Sequence, residues 1–335
     1  MKTIKYLSIL LLIISCKDDF EGPSLNDVFG PFELIQDFTN SADTINFEQE
    51  NSMFFQAEFS RRMNWKITIQ GNISGSKKEM TGYSKDLNVQ NSTWNGNTTI
   101  LPFFKKENCD VTLSFVESDT SFSTQVYIST PKDYNDDESV LITDFEGGLN
   151  PLFGNYFQPT CTKSIESDNP AEGNRYLKQT GWCDWDWLIG YVDFFTQYWQ
   201  EPNSLFSDPD SVFLNIMVYS DSAINLWLGD PNTLFKIEVY EDDNQDNYYD
   251  ASSEDMYGLE IPVNWNGWKM ISLRYSDIPS LNLGNSVQEP DKVFKVRTLV
   301  LSDPTMWSST PESDPQARAD IDYLIWTKNQ PILEK

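Results

Sequence analysis

Gly181-Trp182-Cys183-Asp184-Trp185-Asp186-Trp187 interleaves indole rings with carboxylates. An extended chain puts Trp185 and Trp187 on one side and Asp184 and Asp186 on the other. Flat rings of this kind can take the C–H face of a pyranose, while amides and carboxylates at the edge satisfy its equatorial hydroxyls. Similar groups recur downstream, where Val212 to Tyr219, Ile224 to Leu228 and Phe235 to Tyr240 alternate apolar and polar residues. One face collects Val212, Leu214, Ile216, Val218, Ile224, Leu226, Leu228, Phe235, Ile237 and Val239, the pattern of a sandwich core. The other collects Asn215, Tyr219, Asn225, Trp227, Lys236, Glu238 and Tyr240, and a merely solvated face rarely carries a Trp and two Tyr among its amides and charges. The candidate ligand-binding residues are therefore Trp182, Trp185, Asp186, Trp187, Asn225, Trp227, Lys236, Glu238 and Tyr240. The competing reading makes these rings ordinary core, which is where a single Trp usually belongs. The case for a surface role rests on the cluster.

The 335-residue chain contains no histidine. That removes Ser-His and Cys-His nucleophile pairs and the usual zinc sites. Carboxylate chemistry survives the exclusion: a glycoside hydrolase or lyase could use Glu238 and Asp186 if they faced each other about 5–10 Å apart. A single sandwich leaves little room for a deep pocket, so binding without catalysis is the expectation. An adhesive or structural surface protein, presenting aromatics to another protein, is the third alternative.

Asp242, Asn244, Asp246, Tyr248 and Asp250 approximate a calcium loop, but Asn247 stands where glycine belongs and Ser253 where the closing carboxylate belongs, with Glu254 one place late. A polar hairpin accounts for the stretch more simply. Cys109 lies on the apolar side of a strict alternation and reads as a buried thiol. Cys161 and Cys183 lie outside such patterns and are expected to form a disulfide in an oxidising compartment, worth about 3 kcal/mol.

That compartment is indicated by the first residues. Residues 1–15 carry Lys2 and Lys5, an apolar run from Leu7 to Ile14 and a small residue, Ser15, directly before Cys16: a signal peptide too short to remain as a spanning helix. Residues 16–28 contain Gly22 and Pro23 and read as a tether. With Lys2 and Lys5 removed, 22 basic residues face 51 acidic ones, a formal charge of −29. Such a field repels nucleic acid and anionic headgroups. Neutral glycan or protein surfaces fit it better. Hydrophobic residues at 39% and aromatics at 14% argue against a disordered tail.

Two domains must position these groups. Residues 29–130 show repeated period-two runs, with Met53, Phe55, Ala57 and Phe59 on one side and Trp65, Ile67 and Ile69 on another, punctuated by Gly71-Asn72 and Trp94-Asn95-Gly96-Asn97. The expectation is all-β, an immunoglobulin-like sandwich. Residues 131–139 are polar and turn-rich and read as a linker. Residues 140–335 form the second unit.

Several segments of that unit carry a resemblance. Leu141-Ile142-Thr143-Asp144-Phe145-Glu146-Gly147-Gly148 looks like the opening strand of galactose-binding-like jelly rolls, and Glu172-Gly173-Asn174-Arg175-Tyr176-Leu177 like the second. Asn266-Gly267-Trp268-Lys269-Met270-Ile271-Ser272-Leu273 is similar to their "gW..v.i.l" strand, and Ile321-Asp322-Tyr323-Leu324-Ile325 to the closing one. The resemblance implies a β-jelly-roll sandwich of carbohydrate-binding type, with a structural calcium held by Glu146 and Asp322 and with Asp144 and Glu172 nearby. Ile13-Ile14-Ser15-Cys16 resembles the bacterial lipobox, which implies lipidation of Cys16. Lys17-Asp18-Asp19 resembles the export tag of Bacteroidota lipoproteins, which implies an outer-membrane location facing the cell exterior. Anchor, spacer and jelly roll together resemble the surface glycan-binding lipoproteins of Bacteroidota polysaccharide-utilisation systems. That layout implies a polysaccharide or oligosaccharide ligand, a neighbouring outer-membrane glycan importer, and membrane contact through lipid alone.

Overall fold

The computed structural model describes residues 31–182, 187–200, 207–227, 230–282, 284–302 and 316–335. Residues 1–15, expected as a signal peptide, and residues 16–28, expected as a tether beginning at Cys16, lie outside the described residues. The chain is all-β, with its strands gathered into sandwiches on either side of residues 131–139, as expected. No helix among the described residues is long and apolar enough to cross a membrane.

The first sandwich comprises β1 (Leu34–Asn40), β2 (Thr44–Asn46), β3 (Met53–Gly71), β4 (Lys77–Leu87), β5 (Thr93–Trp94), β6 (Glu107–Phe115) and β7 (Ser118–Thr130). The two apolar runs expected on different sides belong to one 19-residue strand, β3. Met53, Phe55, Ala57 and Phe59, and then Trp65, Ile67 and Ile69, are all buried in the same core. The first half of β3 pairs with β1 and β5 and the second with β6, while β4 runs beside both. Its register against β4 slips between Glu58 and Met63. Extra residues at such a point bend a strand, which is how one strand serves both layers. Cys109 is wholly buried, and burial pushes its thiol up. β2 runs parallel to β7, with Thr44 opposite Tyr127 and Ile45 opposite Ile128.

The stretch expected as a bare linker contributes a buried ring. Tyr134 stacks on Phe103 at 4.2 Å, and Phe103 meets Tyr323 edge-on at 5.9 Å. The Phe103 N–H also donates to the Ala171 carbonyl at 2.8 Å.

The second sandwich packs two sheets face to face. One has the order β10 (Cys161–Glu166), β11 (Tyr176–Gly181), β22 (Asp320–Lys328), β13 (Val212–Ser220), β18 (Gly267–Arg274). In it β8 (Ser139–Thr143) flanks β22, and β21 (Ala317–Arg318) flanks β11. The other has the order β19 (Ser280–Asn282), β17 (Met256–Pro262), β16 (Thr233–Glu241), β20 (Val293–Ser302), β12 (Leu188–Phe195), β9 (Gly154–Phe157). β14 (Leu226–Trp227) and β15 (Asp230–Pro231) form a separate short ladder.

Val212, Leu214, Ile216 and Val218 of β13 meet Phe235, Ile237 and Val239 of β16 in one core, as the alternation predicts. The opposite faces of these runs do not form one surface, because β13 and β16 belong to different sheets and look out on opposite sides. Asn215 is wholly buried, donating to Thr327 Oγ1 at 2.9 Å and accepting from Ser272 Oγ at 2.7 Å. The middle run is not one continuous strand from Ile224, and its last residue, Leu228, lies outside the described residues. Ser222–Asn225 is a helical turn, started by the Asp221 carboxylate accepting from the Ala223 N–H.

Candidate functional site

Residues two apart in a strand share a face, so sheet register aligns outward side chains in rows. With Phe235, Ile237 and Val239 of β16 turned inward, Lys236, Glu238 and Tyr240 point out. Across β20 and β12 they continue as three rows: Tyr240–Lys295–Phe195, Glu238–Arg297–Asp193 and Lys236–Leu299–Tyr191. β17 adds Met256, Gly258 and Glu260 at one edge, and β9 adds Gly154 and Tyr156 at the other. A fourth row, Leu234–Leu301–Leu188, closes the end where Trp187 enters β12. From Lys295 to Leu301 the face runs about 20 Å.

Charge on this face is paired in place. Arg297 donates from Nε and Nη2 to the two oxygens of Asp193 at 2.7 and 2.8 Å, and Lys295 approaches the same carboxylate at 3.2 Å. On the other flank Lys236 bridges Glu238 at 3.0 Å and Glu260 at 3.7 Å. The Tyr240 hydroxyl donates to Glu238 Oε2 at 2.5 Å. The guanidinium of Arg297 lies 4.3 Å from the Tyr191 ring centre, and the Lys295 ammonium 4.2 Å from that of Tyr240. Tyr156 and Tyr191 pair across β9 and β12 at 6.1 Å. Burial, then the hydrogen bond to Glu238, pushes the Tyr240 phenol up. Burial lowers the Lys295 ammonium against the pull of Asp193. At Gly154 a Cβ would come within 3.2 Å of the Phe195 ring and 3.3 Å of Asp193, so glycine leaves both undisplaced.

Of the sequence-predicted ligand residues, Lys236, Glu238 and Tyr240 converge here. Asn225 does not. It is wholly buried, donating to Ser220 Oγ and the Arg318 carbonyl and accepting from Thr233 Oγ1 and the Arg318 N–H. Its amide ties loop segments together and is spent on them. Trp182 follows β11 in the other sheet, and its carbonyl accepts from Thr160 Oγ1 at 2.6 Å. Trp187 is 41% exposed, and its carbonyl accepts from the Ser302 N–H at the end of β20. Trp227 pairs through its backbone with Asp230 in the short ladder. Cys183, Trp185 and Asp186 lie outside the described residues, and with them the expected pairing to Cys161. The residues sequence reasoning missed are Tyr156, Tyr191, Asp193, Glu260, Lys295 and Arg297. The alternation of Tyr191 and Asp193 with Val192 and Phe194, and of Lys295 and Arg297 with Val296 and Thr298, was the available signal.

The carboxylates assigned by resemblance to a structural calcium hold backbone instead of one another. Asp322, wholly buried, accepts from the N–H groups of Ala171, Glu172 and Tyr323. Glu146 accepts from those of Asn174 and Arg175, and Asp144 from that of Glu146. No three of Glu146, Asp322, Asp144 and Glu172 bring oxygens within 4.8 Å of one another. Burial, followed by the Glu146, Asp144 and Asp133 carboxylates, pushes Glu172 up to about 7.

No family model matches the chain, and no curated protein matches it. Among solved structures, the chain is similar to the N-terminal tandem of CBM22 domains from Paenibacillus barcinonensis Xyn10C, at 10% identity and a TM-score of 0.33, covering 90% of this chain and 92% of that one. The CBM22-1 xylan-binding domain of the same protein is 12% identical with a TM-score of 0.30, covering 58% of this chain and 99% of that one. Cip1, a cellulose-induced protein, is 8% identical with a TM-score of 0.26, covering 56% and 95%. Likeness of this degree transfers no residue role.

Proposed function

We propose that the outer face of the six-stranded sheet binds a polysaccharide or oligosaccharide without cleaving it. The observation that carries this reading is the row structure: the partly exposed rings of Tyr156, Tyr191 and Phe195 interleaved with Asp193, Glu238, Lys236, Lys295 and Arg297, with the buried Tyr240 bracing Glu238 and Lys295 from below. Rings supply platforms for sugar C–H faces, and the charged groups between them supply donors and acceptors for hydroxyls. The cations Lys236, Lys295 and Arg297 are matched by Asp193, Glu238 and Glu260, so the face carries no net charge and suits a neutral glycan. Ion pairing also holds these side chains in fixed rotamers, which lowers the ordering cost of capture. Glu238 has both oxygens engaged, by Lys236 and by Tyr240, which favours binding over acid catalysis.

In the same reading Cys16 carries lipid, the chain stands on the outer face of an outer membrane, and a glycan importer lies alongside. Affinity electrophoresis and calorimetry against neutral xylans, glucans and mannans test the binding. Reducing-end release from the same panel tests for hydrolysis. Retardation without release supports the proposal, whereas silence across the panel, or release of sugar, overturns it.

A further inference from the structure

The hairpin between β16 and β17 carries seven carboxylates from Glu241 to Asp255 and no basic residue. Asp242, Asp246 and Glu254 each place a carboxylate oxygen within 4.8 Å of the others. Glu254 is the decisive member. It is 1% exposed, its Oε2 accepts from the Asp250 N–H at 2.7 Å, the Asn244 backbone N–H faces the same carboxylate, and its Oε1 completes no hydrogen bond of good geometry. A buried carboxylate oxygen without a well-formed hydrogen bond is costly unless a proton or a cation meets it.

Both sequence objections to a calcium loop lose force in the fold. Asn247, standing where glycine belongs, adopts the left-handed backbone at φ 65°, which asparagine tolerates better than most residues. Glu254, one place late along the chain, still reaches the cluster. The Asp242 carboxylate accepts from the N–H groups of Asp246 and Asn247, which wraps the loop around it. On the other side of the same loop Glu241, Asp243 and Asp255 form a second group within 4.8 Å, adding to the negative field.

We propose that this hairpin binds a divalent cation of the calcium class through Asp242, Asp246 and Glu254. The donors are all oxygen, with neither imidazole nor thiolate, and calcium accepts six to eight oxygens in irregular geometry where magnesium demands an octahedron. The site stands at the end of the sheet face described above, because Tyr240 and Met256 are its last outward residues before the hairpin. Cation binding would fix this loop without entering the sugar-binding rows.

Calcium titration of the full chain by calorimetry, with melting curves alongside, tests the site. Extracellular calcium modules bind at about 10⁻⁴–10⁻³ M, and that range is expected here, with a rise in Tm at saturation. Asp246 is exposed, so Asp246→Asn is expected to fold normally and to weaken binding at least about tenfold, or 1.4 kcal/mol. Glu254→Gln should do the same, while Glu146→Gln, in the quartet near β8, should leave the isotherm unchanged. No binding by the wild-type chain up to about 10⁻² M, or an isotherm unaltered in Asp246→Asn, overturns the proposal. Loss of binding in Glu146→Gln alone moves the cation to the other carboxylates and overturns it as well.

Discussion

Arg297 and Asp193 face each other across β20 and β12 in a two-pronged ion pair, with both hydrogen bonds under 3 Å and the Asp193 side chain 7% exposed. A planar guanidinium matches a carboxylate in this way, and an ammonium does not. Removing one partner leaves the other little hydrated and unpaired. Asp193→Ala should therefore cost about 3 kcal/mol in urea-induced unfolding, with Arg297→Lys costing less. Equal, small effects of both substitutions would mean that the pair is solvated and does not organise the face.

Tyr191 offers its ring beneath the Arg297 guanidinium, between Tyr156 and Leu299. Tyr191→Ala should weaken glycan binding about tenfold, or 1.4 kcal/mol. Lys269→Ala, exposed on β18 in the opposite sheet, should leave affinity unchanged. Affinity electrophoresis of the two variants side by side reads the difference, and the reverse ranking would transfer the site to the other sheet.

Glu172 gives stability a pH dependence of known sign. Its carboxyl titrates near 7 in the fold, up from 4.5, through burial first and neighbouring carboxylates second. The folded chain then keeps a proton that the unfolded chain releases, so this contribution is full below about pH 4.5 and is lost as pH rises through about 7. Its size is about 3 kcal/mol. Scanning calorimetry at about pH 5 and about pH 8 should show a smaller Tm difference for Glu172→Gln than for the wild type. Identical differences would show that Glu172 is ionised throughout.

On the proposed reading of Cys16 as the lipid-bearing residue, Cys16→Ser keeps residues 1–15 but removes the acylation site. Two or more acyl chains anchor a protein stably, so their loss should move the chain from the membrane pellet to the soluble fraction. Retention of the variant in the pellet would count against lipid as the anchor.

The period-two signal made single strands legible and left their neighbours hidden. Lys236, Glu238 and Tyr240 could be placed on an outward face from sequence because Phe235, Ile237 and Val239 separate them. Nothing local says that β20 lies between β16 and β12, since those pairings join residues about sixty and about a hundred positions apart. Arg297 and Asp193 were invisible as a pair for that reason. Asn225 went astray for a different one: Asp221, three residues before its alternating run, caps a helical turn that takes up the first residues of that run. The strands expected by resemblance near Leu141, Tyr176, Gly267 and Ile321 appear as β8, β11, β18 and β22, each anchored by a dense apolar or Gly-Trp signal.

The parallel pairing of β2 with β7 has a mechanical consequence. Pull on the chain before β2 and on the chain after β7, and the two strands are drawn in opposite directions along their common axis. Their rungs from Thr44–Tyr127 to Asn46–Thr130 then share the load in shear, where a hairpin would unzip one rung at a time. A load applied along the chain through this sandwich, such as the proposed pull between a lipid anchor and a captured polymer, would meet its resistance in those few residues.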